Sequence, residues 1–175
     1  MKIKFLIAFF LGLLLSCSTT KSSIIIADTY DEEKDMTTLI IAPLGNINIP
    51  GKWTKTKYNE VSRQHFFKNN NETTIAIAKN LKEKYPFYSK SASNIMFAKI
   101  FFEWEKAHYE QQGFTVGEYS KGSNYIIWTA KKDEVNTMFL YGAKGNFAYN
   151  YSVFANNWSE EKRVQFLKDL LEKNE

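Results

Sequence analysis

The sequence predicts an α+β fold in which an antiparallel β-sheet is flanked by one long middle helix and one C-terminal helix. Three observations carry that prediction. Short β-branched and aromatic runs recur between turn residues, one central stretch changes to helical spacing, and the last fifteen or so residues form an amphipathic stripe behind a helix cap. The chain has 175 residues and no internal period, which fits a single domain able to bury a conventional core.

Taking the elements in order, residues 23–27 and Thr37 to Ala42 are β-branched runs separated by the acidic, turn-like stretch 31–35, and read as an N-terminal pair of strands. Gly45 to Trp53 places Ile47 and Ile49 on one face, and Pro50-Gly51 ends that strand because proline cannot donate to a ladder. Arg63 to Lys68 and Thr73 to Lys79 flank the turn-rich 69–72 and read as a hairpin, with Ile75 and Ile77 sharing a face.

The period then changes. Ile95, Phe97, Phe101, Trp104 and His108 recur near helical spacing over about 92–112, with Ser91 or Ser93 as N-cap and Gly113 as the stop. Strands follow at 114–119, 125–131, 136–141 and 146–154, the last two joined through Ala143-Lys144-Gly145. The stretches Tyr125-Ile126-Ile127-Trp128 and Met138-Phe139-Leu140-Tyr141 are apolar on both faces, which predicts central strands covered on each side. In the final strand Phe147, Tyr149, Tyr151 and Val153 point one way, and Ala148, Asn150 and Ser152 the other. Ser159 caps a helix whose first turn carries Glu160 and Glu161, favourable at the positive end of the dipole, and whose Val164, Leu167, Leu170 and Leu171 form a core stripe.

The N-terminus has its own logic. Lys2 and Lys4 precede an eleven-residue apolar run, Phe5 to Leu15, too short to cross a hydrocarbon core of ~30 Å as a helix. Leu14-Leu15-Ser16-Cys17 follows directly and resembles the lipobox of bacterial lipoproteins, with an apolar residue at −3, a small one at −1 and then the cysteine. That resemblance implies removal of residues 1–16 as a signal peptide and acyl chains attached at Cys17. Two chains make a stable anchor, since each buried CH₂ contributes ~0.8 kcal/mol. The small polar residues 17–23 read as a lipidated leash, and 24–175 as the globular domain. Ser18 resembles the pattern of lipoproteins sorted to an outer membrane, so the expected place is the cell envelope, lipid-anchored, with the outer membrane preferred.

The order of elements, together with Ile49, Pro50 and Trp53 at the end of the Gly45 strand, resembles the PsbP-like fold shared by the photosystem extrinsic protein PsbP and the Mog proteins. The resemblance implies an α/β/α sandwich around an antiparallel sheet, in a family that mostly binds and stabilises partner proteins. It transfers no functional residue to a position of this chain.

The side chains point away from several chemistries. Cys17 is the only cysteine, so the fold holds no intrachain disulfide and no cysteine-based metal or redox site. Of 23 basic residues, Lys2 and Lys4 lie in the removable segment, which leaves 21 scattered among 19 acidic ones and argues against nucleic acid as a partner. His65 and His108 have no second imidazole or thiol at ligand spacing, no nucleophile elbow or glycine-rich phosphate loop is present, and Glu103 and Glu105 point away from each other on a helix. No cofactor and no catalysis are therefore expected.

The aromatic content of 16% is high, and most of it reads as core. The functional alternative is an aromatic platform or groove for a peptide or glycan, sought in Tyr149, Tyr151 and Trp158. The leading expectation is a non-catalytic envelope lipoprotein that binds or stabilises a protein partner; the alternative is a small-ligand or glycan-binding lipoprotein with an aromatic cleft.

Overall fold

The computed structural model describes residues 25–175 apart from Asn156. The expected signal peptide, Cys17 and the expected leash lie outside the described residues. Among those described, no helix is long and apolar enough to cross a membrane.

The predicted α+β class is what the chain forms, but with two antiparallel sheets instead of one. Strands β1 (Ile25–Asp31), β2 (Met36–Ala42) and β3 (Gly45–Pro50) make a three-stranded sheet. The second sheet has seven strands in the order β4-β5-β6-β10-β9-β8-β7: β4 (Thr54–Asn59), β5 (Gln64–Lys68), β6 (Thr74–Leu81), β7 (Thr115–Lys121), β8 (Tyr125–Lys132), β9 (Val135–Lys144) and β10 (Phe147–Phe154). Two helices complete the domain, α1 (Asn94–Gln111) and α2 (Glu160–Glu172).

The change of sheet happens at Pro50-Gly51. Gly51 has φ +90°, a conformation open to glycine, and the chain leaves β3 there. Thr37 fastens the corner: its hydroxyl donates to the Gly51 carbonyl at 2.8 Å and accepts the Trp53 N–H at 2.9 Å. The Trp53 indole N–H donates to the Pro50 carbonyl at 2.7 Å, which frees the ring to enter the core beside Phe166. β4 was not foreseen, because Thr-Lys-Thr-Lys-Tyr-Asn is an edge strand with nothing to bury.

The seven-stranded sheet is covered unequally. One face packs against α2 and the three-stranded sheet through Leu39, Ile47, Ile49, Ile75, Ile77, Leu140, Tyr149, Tyr151, Val153, Leu167 and Leu170. On the other face α1 lays Phe97, Phe101 and Phe102 over Ile126, Trp128, Phe139 and Tyr141. β8 and β9 are thus covered on both sides, as their doubly apolar sequences require. Ser93, and not Ser91, caps α1 by accepting the Met96 N–H at 3.3 Å, and Gly113 follows the helix with φ +82°.

α2 begins at its predicted cap, with the Ser159 hydroxyl accepting the Lys162 N–H. Its far end is tied down by Asn174. That amide accepts the Asn48 N–H at 2.6 Å and donates to the Asn48 carbonyl at 2.9 Å and to the Leu170 carbonyl at 2.6 Å, so it acts as one rung of a β-ladder on β3. Gly142 lets the helix approach: a Cβ there would lie 3.2 Å from a Leu171 methyl.

Candidate functional site

α1 crosses β7, β8 and β9 and stops short of the other half of the sheet. On the uncovered half, alternation sends Gln64 and Phe66 of β5, Asn80 of β6, and Asn150 and Ser152 of β10 toward the α1 side. Between them β6 contributes only Ala76 and Ala78, which are covered and lie beneath this polar floor. The Gln64 amide reaches over Ala78 and donates to Asn150 Oδ1 at 3.1 Å. The result is a cleft of about 840 Å³ between this floor and the side of α1.

Its walls are aromatic, and Glu105, Arg63 and Lys84 add charge to them. α1 contributes Phe101, Trp104, Glu105, His108 and Tyr109; the segment after the 3₁₀ turn at 82–84 contributes Tyr85 and Pro86. The opposite rim is the β4–β5 turn, Asn59 to Arg63. Asn59 orders that turn, its side-chain oxygen accepting the N–H groups of Val61 at 2.9 Å and Ser62 at 3.1 Å, and Arg63 is held at φ +54°, uncommon for an arginine. Tyr85 is fixed from below by Asn80, whose amide donates to the phenol oxygen at 3.3 Å, and from the side by Phe101 at 4.7 Å between ring centroids.

Glu105 is the unusual member. It falls in the inward stripe of α1, following Phe97, Phe101 and Phe102, where an apolar side chain is expected. It has no ion pair or hydrogen bond among the described residues, and burial pushes its carboxyl up to about 7. Burial likewise raises the Tyr85 and Tyr109 phenols to about 12, with the Glu105 charge adding to the effect, and raises Tyr141 well above its ordinary value. Ser152 adds a buried hydroxyl with no partner among the described residues.

The residues sought from sequence fall elsewhere. Tyr149 is 2% exposed and Tyr151 is fully buried, both on the α2 side of β10, so neither forms an open platform. The alternation of that strand is as predicted, but the aromatic face is the core face, and the polar face lines the cleft. Trp158 is half-buried, edge-on to Phe166, with the Lys162 ammonium over its ring at 4.5 Å. The three do not converge on one surface. His65 is buried in β5 and stacked on Tyr58 at 4.5 Å, while His108 is exposed at the cleft mouth and 2.7 Å from the Gln112 amide. No group of three metal-ligating side chains occurs among the described residues.

No family model matches this chain, and neither does any curated protein. Among solved structures it is similar to the solution structure of cyanobacterial PsbP (CyanoP) from Synechocystis sp. PCC 6803, at 10% identity over 93% of this chain and 96% of that one, with a TM-score of 0.44. A likeness at that level assigns no residue and no activity.

Proposed function

We propose that this chain is a lipid-anchored, non-catalytic binding protein of the cell envelope that holds a small polar ligand or a glycan in the cleft beside α1. The observation that carries the reading is the cleft itself, with its floor of side-chain amides and a hydroxyl between aromatic walls, the usual composition of a site that orients a polar ligand. Glu105 has no hydrogen-bonded acid, base or nucleophile beside it, which favours holding over turnover. The anchor at Cys17 would fix the domain at a membrane surface.

Thermal-shift measurements with envelope glycans and metabolites test this. A ligand at 100 times its Kd adds about 2.7 kcal/mol, a readily seen rise in Tm. Ser152→Phe, which projects into the cleft from a residue that lines it, should abolish the shift. A flat screen across all classes would retire the reading.

A second reading, a protein partner seated over the same cleft, is favoured by the exposed apolar side chains on its rim, Val61 at 96%, Trp104 at 51% and Phe154 at 36%. Under it, a partner recovered from detergent-solubilised membranes by the native chain should be lost by Trp104→Ala combined with Val61→Ser. Equal recovery by both would set this reading aside.

A further inference from the structure

Two opposite charges face the cleft without meeting. Glu105 reaches in from α1 and Arg63 stands on the β4–β5 rim, yet they form no ion pair with each other or with any other described residue. Glu105 on α1 and Arg63 on the β4–β5 turn line the same cleft from different elements, with the Tyr85 ring also in its wall. Lys84 adds a second cation to the lining. A carboxylate taken out of water and left unpaired is costly, and that cost falls when a ligand supplies the missing cation.

A purely cationic ligand would meet Arg63 and Lys84, and a purely anionic one would meet Glu105. Resting on the reading of the cleft as a binding site, we propose that its ligand is a dipolar ion, with a primary ammonium held by Glu105 and the face of Trp104 and a carboxylate or phosphate held by Arg63 and Lys84. Charge-assisted hydrogen bonds at both ends, the guanidinium pairing in bidentate fashion, fix the ligand's direction. The Asn150 and Gln64 amides lie on the floor between the two ends and suit a peptide group or an ester oxygen. Two sources share this chemistry: free amino acids or short peptides, and the phosphoethanolamine group of a lipid.

Calorimetric titration of the full chain in detergent micelles tests the proposal, with glycylglycine, O-phosphoethanolamine, ethanolamine, acetate and cellobiose as probes. At least one dipolar probe should bind tenfold or more tightly than ethanolamine or acetate, and which one it is separates the two sources. Glu105→Gln and Arg63→Gln should each weaken it by tenfold or more, with unchanged far-ultraviolet circular dichroism. The groups facing Glu105 are Tyr85, Tyr109, Tyr141, His108, Arg63 and Lys84. With the Glu105 carboxyl near 7, affinity should fall about tenfold from pH 8 to pH 6, and this dependence should vanish in Glu105→Gln. Cellobiose binding as tightly as the dipolar probes, or full affinity in Glu105→Gln, would overturn the dipolar assignment and leave the cleft as a binding site. Silence from all five probes, together with a flat thermal-shift screen, would remove both.

Discussion

At the scale of single residues, half-buried Glu105 and buried His65 set opposing pH dependences. Glu105 has its folded pKa raised from 4.5 to about 7, so the folded state holds its proton more tightly, and the stability that proton confers is present at low pH and lost as pH rises through 7. Glu105→Gln should therefore raise Tm at pH 8, by an amount corresponding to at most about 3 kcal/mol, and leave it nearly unchanged at pH 4.5. His65 runs the other way. Burial, helped by the Lys55 charge, lowers it from 6.5 to about 4, so its contribution is intact above 6.5 and lost as pH falls toward 4. His65→Phe preserves a ring against Tyr58 and should flatten the acid limb of a Tm-against-pH curve; an unchanged limb would mean that other groups govern it. Between pH 4.5 and 6.5 the two slopes partly cancel, so the single variants reveal what the native curve conceals. Neither effect was legible in the sequence. Glu105 sits in a stripe whose other members are apolar, and a helical wheel does not show that a cleft opens beside the helix at that point.

At the scale of elements, the helices and most strands follow from spacing, caps and turns, while the failures have physical reasons. β4 escaped because an edge strand with one covered neighbour needs no apolar alternation. β10 was read correctly as two unlike faces, but alternation does not say which face meets solvent, and here the aromatic side belongs to the core. The cleft floor joins Gln64, Asn80 and Asn150 from three strands, and only the strand order reveals that meeting. The attachment of α2 was equally hidden, since Asn174 contacts Asn48 across 126 residues of sequence. Asn174→Ala removes three hydrogen bonds, and strands the Asn48 N–H; it should cost about 2 kcal/mol by denaturant titration. A change within error would mean that α2 is held by Leu167, Leu170 and Leu171 alone.

At the scale of the molecule, the sheet separates two kinds of work. Its α2 face is closed by the three-stranded sheet and carries the larger apolar core; its α1 face is closed over only part of its width, and the remainder is the cleft. Cys17→Ser should move the protein from the membrane to the soluble fraction in cell fractionation without changing its Tm. Retention at the membrane would show that something other than acyl chains holds it there. The sequence shows the local patterns of strands and helices but not the unequal cover of the sheet, which depends on where α1 comes to rest.

The covered alanines of β6 lie directly beneath the polar floor of the cleft. Ala76 and Ala78 sit on a strand hydrogen-bonded to neighbours on both sides, so their height is set by the ladder and not by a movable loop. Both alanines are covered, Ala76 at 1% and Ala78 at 0% exposure, so a carbon added at Ala78 presses on the Gln64–Asn150 amide pair above it, and a graded series from alanine through valine to leucine would lift that pair stepwise into the cleft.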